Sequence, residues 1–257
     1  VRLGAFDYLS KPVTKSDIVT VVARAARSKA QRDLNVRLTE ENERYRANLE
    51  GLVEVRTVEL EARTLQLDTA LKGTVGVLAQ TLGARDPYTA GHQRRVAALS
   101  LALATELGLS DAARECVEMA ALVHDLGKIG VPAEILSKPT RLSGSEYALV
   151  KDHAEAGYEI LRHVEFPWPI ADIVRQHHER PDGSGYPAGL SGEAIRLEAL
   201  IIGLADTVEA MASHRPYRAA LGIEAALDEI SKSRDRLYDP AVVDACLRLF
   251  REQGYAL

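Results

Sequence analysis

Met119–Gly130 reads MAALVHDLGKIG, and the rest of the chain can be ordered around it. Five apolar residues, Met119 to Val123, read as helix and end on His124 and Asp125. A neutral imidazole beside a carboxylate at the edge of a core needs a partner, and a metal ion satisfies both at once. Text of the same helical kind, broken by polar turns, lies on either side of it. The stretches at roughly 89–108, 111–126, 168–179, 196–213, 222–232 and 239–252 carry it. Ser143, followed three residues on by Glu146, forms a capping box that opens a helix toward His163. No alternating strand pattern and no internal repeat appears in this part, and the predicted fold class is all-α.

The first seventy residues read differently. VRLGAFDYLSKP (Val1 to Pro12) predicts a short strand over Ala5–Leu9, and Ile18, Val19, Val22 and Ala26 then predict a helix over residues 15–30. One strand and one helix cannot bury a sheet, so the segment belongs to something larger. It resembles the last strand and last helix of a response-regulator receiver domain, where a Lys–Pro pair follows the final strand, as Lys11 and Pro12 do here. In that reading the chain is a truncated form whose phosphate-accepting aspartate lies upstream. An ordinary strand–turn–helix is the alternative. From Asp33 to Lys72 there is no proline and one glycine, and Leu38, Asn42, Tyr45, Leu49 and Leu52 follow a four–three spacing. That is a coiled-coil seam, continued by Val55, Val58, Ala62 and Leu65 after one extra three-residue step. A parallel dimer is expected, and a solvated helical spacer is the alternative because Asn42 and Ala62 weaken the seam.

Composition limits the partners. The 257 residues carry 32 basic and 37 acidic side chains, a formal net charge of −5. Residues 1–75 hold 13 basic and 11 acidic groups, and the remainder 19 and 26, so the larger part is the acidic one. An acidic balance argues against a nucleic-acid coat or a membrane-surface protein, which need a basic face. No apolar run approaches the roughly 18 residues of a membrane span. Cys116 and Cys246 stand far apart, which offers no thiolate zinc site and suits a reducing cytosol.

Further metal-type ligands accompany His124 and Asp125. His92 opens one helix, His153 lies in another, His177 and His178 end a third, and Asp206 sits inside LIIGLADTVEAM (Leu200 to Met211). Each alone reads as a satisfied core or cap residue. Together, five histidines and two aspartates on helix ends and apolar faces point to ligands projecting inward from several helices. Seven nitrogen and oxygen ligands exceed one tetrahedral site, so two ions sharing a bridging carboxylate are expected. The absence of thiols favours Fe, Mn, Co, Ni or Zn.

HHERPDGSGYP (His177 to Pro187), VHDLGKIG (Val123 to Gly130), YTAGHQRRV (Tyr88 to Val96), LADTVEAM (Leu204 to Met211) and HRPYR (His214 to Arg218) resemble the HD-GYP phosphohydrolases, which hydrolyse cyclic di-GMP. The resemblance covers about residues 75–250. It implies a helical HD-superfamily bundle at 73–257, which would follow the coiled-coil linker, taken as 31–72, and the receiver remnant, taken as 1–30. It also implies that His92, His124, Asp125 and Asp206 make one metal position, and that His153, His177 and His178 make the other with Asp125 as bridge. Fe or Mn is the expected metal. Lys128 is similar to a lysine that meets the substrate phosphate, and Tyr186, Arg215 and Arg218 to residues that contact the cyclic dinucleotide. Gly183 and Gly185 are expected to adopt positive φ and to have no room for a Cβ, in a loop lying against the ligand. The implied reaction is attack by a metal-bridging hydroxide, opening the ring to pGpG and, further, to GMP, with Asp125 and Lys128 as the catalytic pair.

A homodimer through 31–72 and docking to diguanylate cyclase (GGDEF) domains are the implied partners, in the cytoplasm. The sequence leaves two other readings open: a non-catalytic cyclic di-GMP receptor, and a hydrolase of another nucleotide such as cyclic GMP–AMP. Three positions depart from the family pattern. Tyr88 stands where some members carry a third-metal glutamate, Glu209 where aspartate is frequent, and Ala154 where proline is usual. Two metals, an altered contact near Asp206 and a changed helix turn are the respective expectations.

Overall fold

A computed structural model describes residues 6–85, 89–213 and 220–257. The chain divides into two compact units, Val1–Asp68 and Thr69–Leu257. Helix α1 (Lys15–Arg85) opens in the first and ends in the second.

In the first unit, Thr14 and Asp17 cap the start of α1 reciprocally. The Thr14 amide donates to Asp17 Oδ2 at 2.9 Å and the Asp17 amide to Thr14 Oγ1 at 3.3 Å. No strand forms over Phe6–Leu9, and Ala5 lies outside the described residues. A lone strand has no neighbour to satisfy its amides, and pairing is what makes a strand. Along the helix, Leu38, Leu49, Leu52, Val55 and Val58 are all exposed.

The second unit is a helical bundle. Helices α2 (Thr89–Glu106), α3 (Asp111–Val123), α7 (Ile170–Gln176) and α8 (Leu197–Ala212) surround its core, with α9 (Ile223–Lys232) and α10 (Pro240–Arg251) closing one side. The short α4 (Ala133–Leu136) and α5 (Gly144–Lys151) lead into α6 (His153–Leu161). The described residues contain no strand, only isolated bridges at Asp182–Ser191 and Arg234–Tyr238.

Local chemistry explains the boundaries. Ser110 accepts from the Ala113 amide ahead of α3, and Asp239 accepts from Ala241 and Val242 ahead of α10, whose first residue is Pro240. Both bonds of the Ser143–Glu146 capping box are present. Glu146 also takes Lys138 at 2.7 Å, and these contacts lower its pKa to about 2. The helix opened by that box stops at Lys151, and a new one starts at His153. The break at Asp152 places His153 at a helix start, 1% exposed. After Val123 the chain tightens into a 3-10 turn over Leu126–Gly130.

Glycines let these pieces approach. A Cβ on Gly127 would stand 1.9 Å from the His153 carbonyl oxygen, and one on Gly203 would stand 2.3 Å from that of His177. No side chain fits at either position, so the 3-10 turn lies on α6 and α8 lies on the end of α7. These two contacts bring the histidine-bearing segments together.

Candidate metal centre and adjoining cleft

His92 comes from α2, His124 and Asp125 from the end of α3, His153 from the start of α6, His177 and His178 from the end of α7, and Asp206 from α8. All seven gather at one end of the bundle. His153, His177 and His178 offer ligand atoms within 4.8 Å of one another, as do His92, His124 and Asp206. A third grouping of His124, Asp125 and His177 links the two. Asp125 lies between the trios and presents one oxygen to each. Its Oδ2 stands 3.5 Å from His124 Nε2 and 3.8 Å from His92 Nε2, and its Oδ1 stands 3.5 Å from His153 Nε2.

The rings are already oriented. Nδ1 of His124 lies 2.6 Å from the Ala121 carbonyl, that of His153 2.6 Å from Val150, and that of His177 2.5 Å from Val174. A carbonyl only accepts, so each Nδ1 carries a proton and each ring turns its Nε2 inward. His92 differs, since its Nδ1 meets the Glu209 carboxylate instead. Nε2 of His124 is buried without a hydrogen-bond partner, and that of His92 stands 3.2 Å from Asp206 Oδ1. Inward nitrogens facing two carboxylates fit divalent cations.

The electrostatics agree. Burial works against ionising Asp125, but Lys128 and the surrounding imidazoles hold its carboxyl well below the usual range. Asp206 is held low against burial in the same way, chiefly by His92. Burial and neighbouring imidazoles keep His177 and His178 well below the ordinary histidine value, so both are neutral donors. Burial opposes charge on His92 as well, yet Asp206, Glu209 and Asp125 raise its pKa to about 9. A metal must displace that proton.

A cleft of about 350 Å³ opens beside His178. Tyr186 stacks on the His178 ring at 4.7 Å, and Lys151 Nζ sits 5.1 Å from the Tyr186 centroid and 5.0 Å from that of Tyr147. Arg180 and Ser184 complete the wall. Cations and aromatic faces next to a cluster of metal-type ligands suit an anionic nucleotide. Lys128 Nζ donates to Asp125 Oδ2 at 2.6 Å and is partly exposed, so it reaches from the cluster toward solvent.

The loop that carries Tyr186 is fastened from within. Glu179, 2% exposed, accepts from the amides of Ala188, Gly189 and Leu190 at 2.7, 3.2 and 2.9 Å. Gly183 has the expected positive φ of 78°. Gly185 does not, and the expectation is corrected there. A Cβ on it would stand 2.4 Å from Glu179 Cα and the Arg180 amide, so it is glycine to let the loop close on its own backbone.

Arg215, Arg218 and Tyr88 lie outside the described residues. Sequence reasoning missed Tyr147, Lys151, Arg180 and Glu179. Lys151 and Tyr147 sit on α5, whose text shows only an amphipathic helix, so nothing local marked them. Glu179 carried a signal that went unread, a carboxylate buried inside a loop rich in glycine amides.

The HD domain family matches residues 76–242. The cyclic di-GMP phosphodiesterase response regulator RpfG of Xanthomonas campestris pv. campestris is 38% identical over 251 residues, 96% of this chain and 62% of that protein. The 3'3'-cGAMP-specific phosphodiesterase 3 of Vibrio cholerae is 40% identical over 177 residues, 68% of this chain and 38% of that protein. The chain thus spans less than two thirds of either relative. A crystal structure of a cyclic GMP-AMP specific phosphodiesterase of V. cholerae shares the fold, with a TM-score of 0.54 at 20% identity over 69% of this chain and 49% of that one. Among the described residues no helix is long and apolar enough to cross a membrane. With well over half of its residues matched, and its second unit folded in the same way, the chain belongs to the HD domain family.

Proposed function

We propose that this chain is a metal-dependent phosphodiesterase that hydrolyses cyclic di-GMP to pGpG, GMP or both. The observation that carries the reading is Asp125, one carboxylate with an oxygen toward each of two histidine trios. His92, His124 and Asp206 would hold one ion, and His153, His177 and His178 the other, with Asp125 shared between them. The all-nitrogen-and-oxygen donor set suits Fe, Mn, Co, Ni or Zn, and of these we propose Fe or Mn. When bound, such ions supply Lewis acidity toward phosphoryl oxygens and bring a water's pKa toward neutrality.

The chain's own groups do the rest. Lys128 holds positive charge against Asp125 and meets the charge that develops on the phosphoryl group. Tyr186, fixed by its stack on His178, offers a face to a nucleobase, and Lys151 and Arg180 offer cations to the second phosphate. Arg215 and Arg218 join them in this proposal. The relative named a response regulator supports an output role, with residues 1–30 a receiver remnant, 31–72 a dimerising linker and 73–257 the enzyme. Exposed Leu38, Leu49 and Leu52 support pairing through that linker, in the cytoplasm and within reach of GGDEF domains.

The test is anaerobic turnover of cyclic di-GMP with Mn(II) or Fe(II), products resolved by chromatography, alongside Asp125→Ala. Linear product from the wild type and none from the variant is expected. Binding without product by the wild type points instead to a receptor. The 40% identity to a cGAMP-specific enzyme favours 3'3'-cGAMP as the second substrate reading. Competition between the two dinucleotides in one assay separates them.

A further inference from the structure

His92 is oriented unlike the histidines at the other helix ends. His124, His153 and His177 set their Nδ1 protons on carbonyls of the nearest helical turn, three residues back in each case. No side-chain substitution removes those acceptors. His92 relies on a side chain 117 residues away, Glu209 of α8, which is 1% exposed.

Glu209 is itself held. Arg95 Nε donates to its Oε1 at 2.7 Å, and Ser213 Oγ donates to the same oxygen at 2.7 Å. Oε2 is thereby left for His92. Gly91 lies beside the same guanidinium, where a Cβ would stand 2.4 Å from its flexible end. Gly91, Arg95, Ser213 and Glu209 form one chain of contacts ending on His92 Nδ1. The other nitrogen of that ring faces Asp206 Oδ1 at 3.2 Å, inside the cluster.

We infer that Glu209 is the positioning residue of the His92/His124/Asp206 trio, setting the metal affinity of that position and leaving the His153/His177/His178 position unchanged. The inference rests on the metal-centre reading above. A carboxylate on the far nitrogen fixes ring direction and strengthens the near nitrogen as a donor. Losing such a partner typically weakens metal binding about 10–100-fold. In the second trio, His153 and His177 have their Nδ1 contacts on backbone carbonyls rather than on Glu209.

The experiment titrates the metal-free full chain with Mn²⁺ alone, with no nucleotide, following free Mn²⁺ by electron paramagnetic resonance. Wild type is expected to take up two equivalents. Glu209→Gln should keep one at near wild-type affinity and weaken the other by about 10–100-fold. Glu209→Asp should recover part of the loss, and Arg95→Ala and Gly91→Ala should give smaller losses at the same position. Melting curves of the metal-free proteins check folding. If Glu209→Gln does not fold, the aspartate and Arg95 variants carry the decision. Two unchanged equivalents in the folded variants overturn the inference alone, as do two equivalents weakened together. A wild-type chain that takes up no Mn²⁺ overturns the metal-centre reading and the inference with it.

Discussion

Leu52 and Leu204 are both leucines inside α-helices, yet Leu52 is 56% exposed and Leu204 is fully buried. The first lies on α1 in the N-terminal unit, the second on α8 in the bundle. Helical conformation in the first unit comes from propensity, charge and a cap. In the second it is reinforced by packing, where burying a leucine is worth about 1.5–3 kcal/mol. Periodicity in a sequence reports conformation. Burial depends on what stands opposite.

The same substitution made in both units probes this difference most sharply. Leu204→Ala removes core volume and should destabilise the bundle by about 4 kcal/mol, whereas Leu52→Ala should change it by less than about 0.5 kcal/mol. Chemical denaturation of both variants measures it, and comparable losses would break the comparison. If the linker dimerises, Leu52→Ala shifts the sedimentation profile toward monomer and leaves the bundle's melting unchanged.

Glycine gives the second pair. Gly127→Ala drives a methyl into the His153 carbonyl and should cost about 3 kcal/mol. Gly51→Ala, with nothing within 4 Å, should stabilise its helix by about 0.8–1 kcal/mol. Opposite signs are expected in thermal melts, and a neutral Gly127→Ala would sink the close-approach argument.

The third prediction concerns protons. In the metal-free protein the His92 pKa is raised to about 9, so its charged form contributes stability below about 6.5 that is lost as pH rises through about 9. The scale is roughly 3 kcal/mol. Metal affinity runs the other way, strengthening with pH up to about 9 as the proton becomes easier to displace. Melting curves with and without Mn²⁺ between pH 6 and 9.5 should therefore diverge as pH rises, and parallel curves would contradict the assignment.

The smallest effect belongs to the capping box. Ser143→Ala removes one of its two bonds and should cost about 1 kcal/mol. Since Glu146 stays ionised down to about pH 2, the remaining half should survive mild acid.

The helices were readable because their signals are local: Ser143 before Glu146, Asp239 before Pro240, apolar residues every third or fourth place. The seven candidate ligands were readable because a histidine or aspartate in apolar helical text demands a partner wherever it lies. What escaped was set by distance in the chain. Glu209 stood out as a departure from a pattern, but its contact with His92 spans 117 residues. Lys151 meets Tyr186 only after α5 folds beside the loop. The break at Asp152 also escaped, since its text runs on as helix while the His153 Nδ1 turns to Val150. At Gly185 the need for no Cβ was legible but the positive φ was not the reason, because a backbone-to-backbone approach leaves no trace in composition.

The Nδ1 contacts of His124, His153 and His177 fall on Ala121, Val150 and Val174, carbonyls in the closing turns of α3, α5 and α7. Helix ends leave carbonyls short of amides, so each ring also completes the turn before it. Three ligands are therefore preset by the ordinary needs of secondary structure, before any ion arrives. Folding and metallation become separate events, and a chelator should empty this centre while its architecture stays standing. A centre preset in this way would let one divalent ion replace another without passing through an unfolded state.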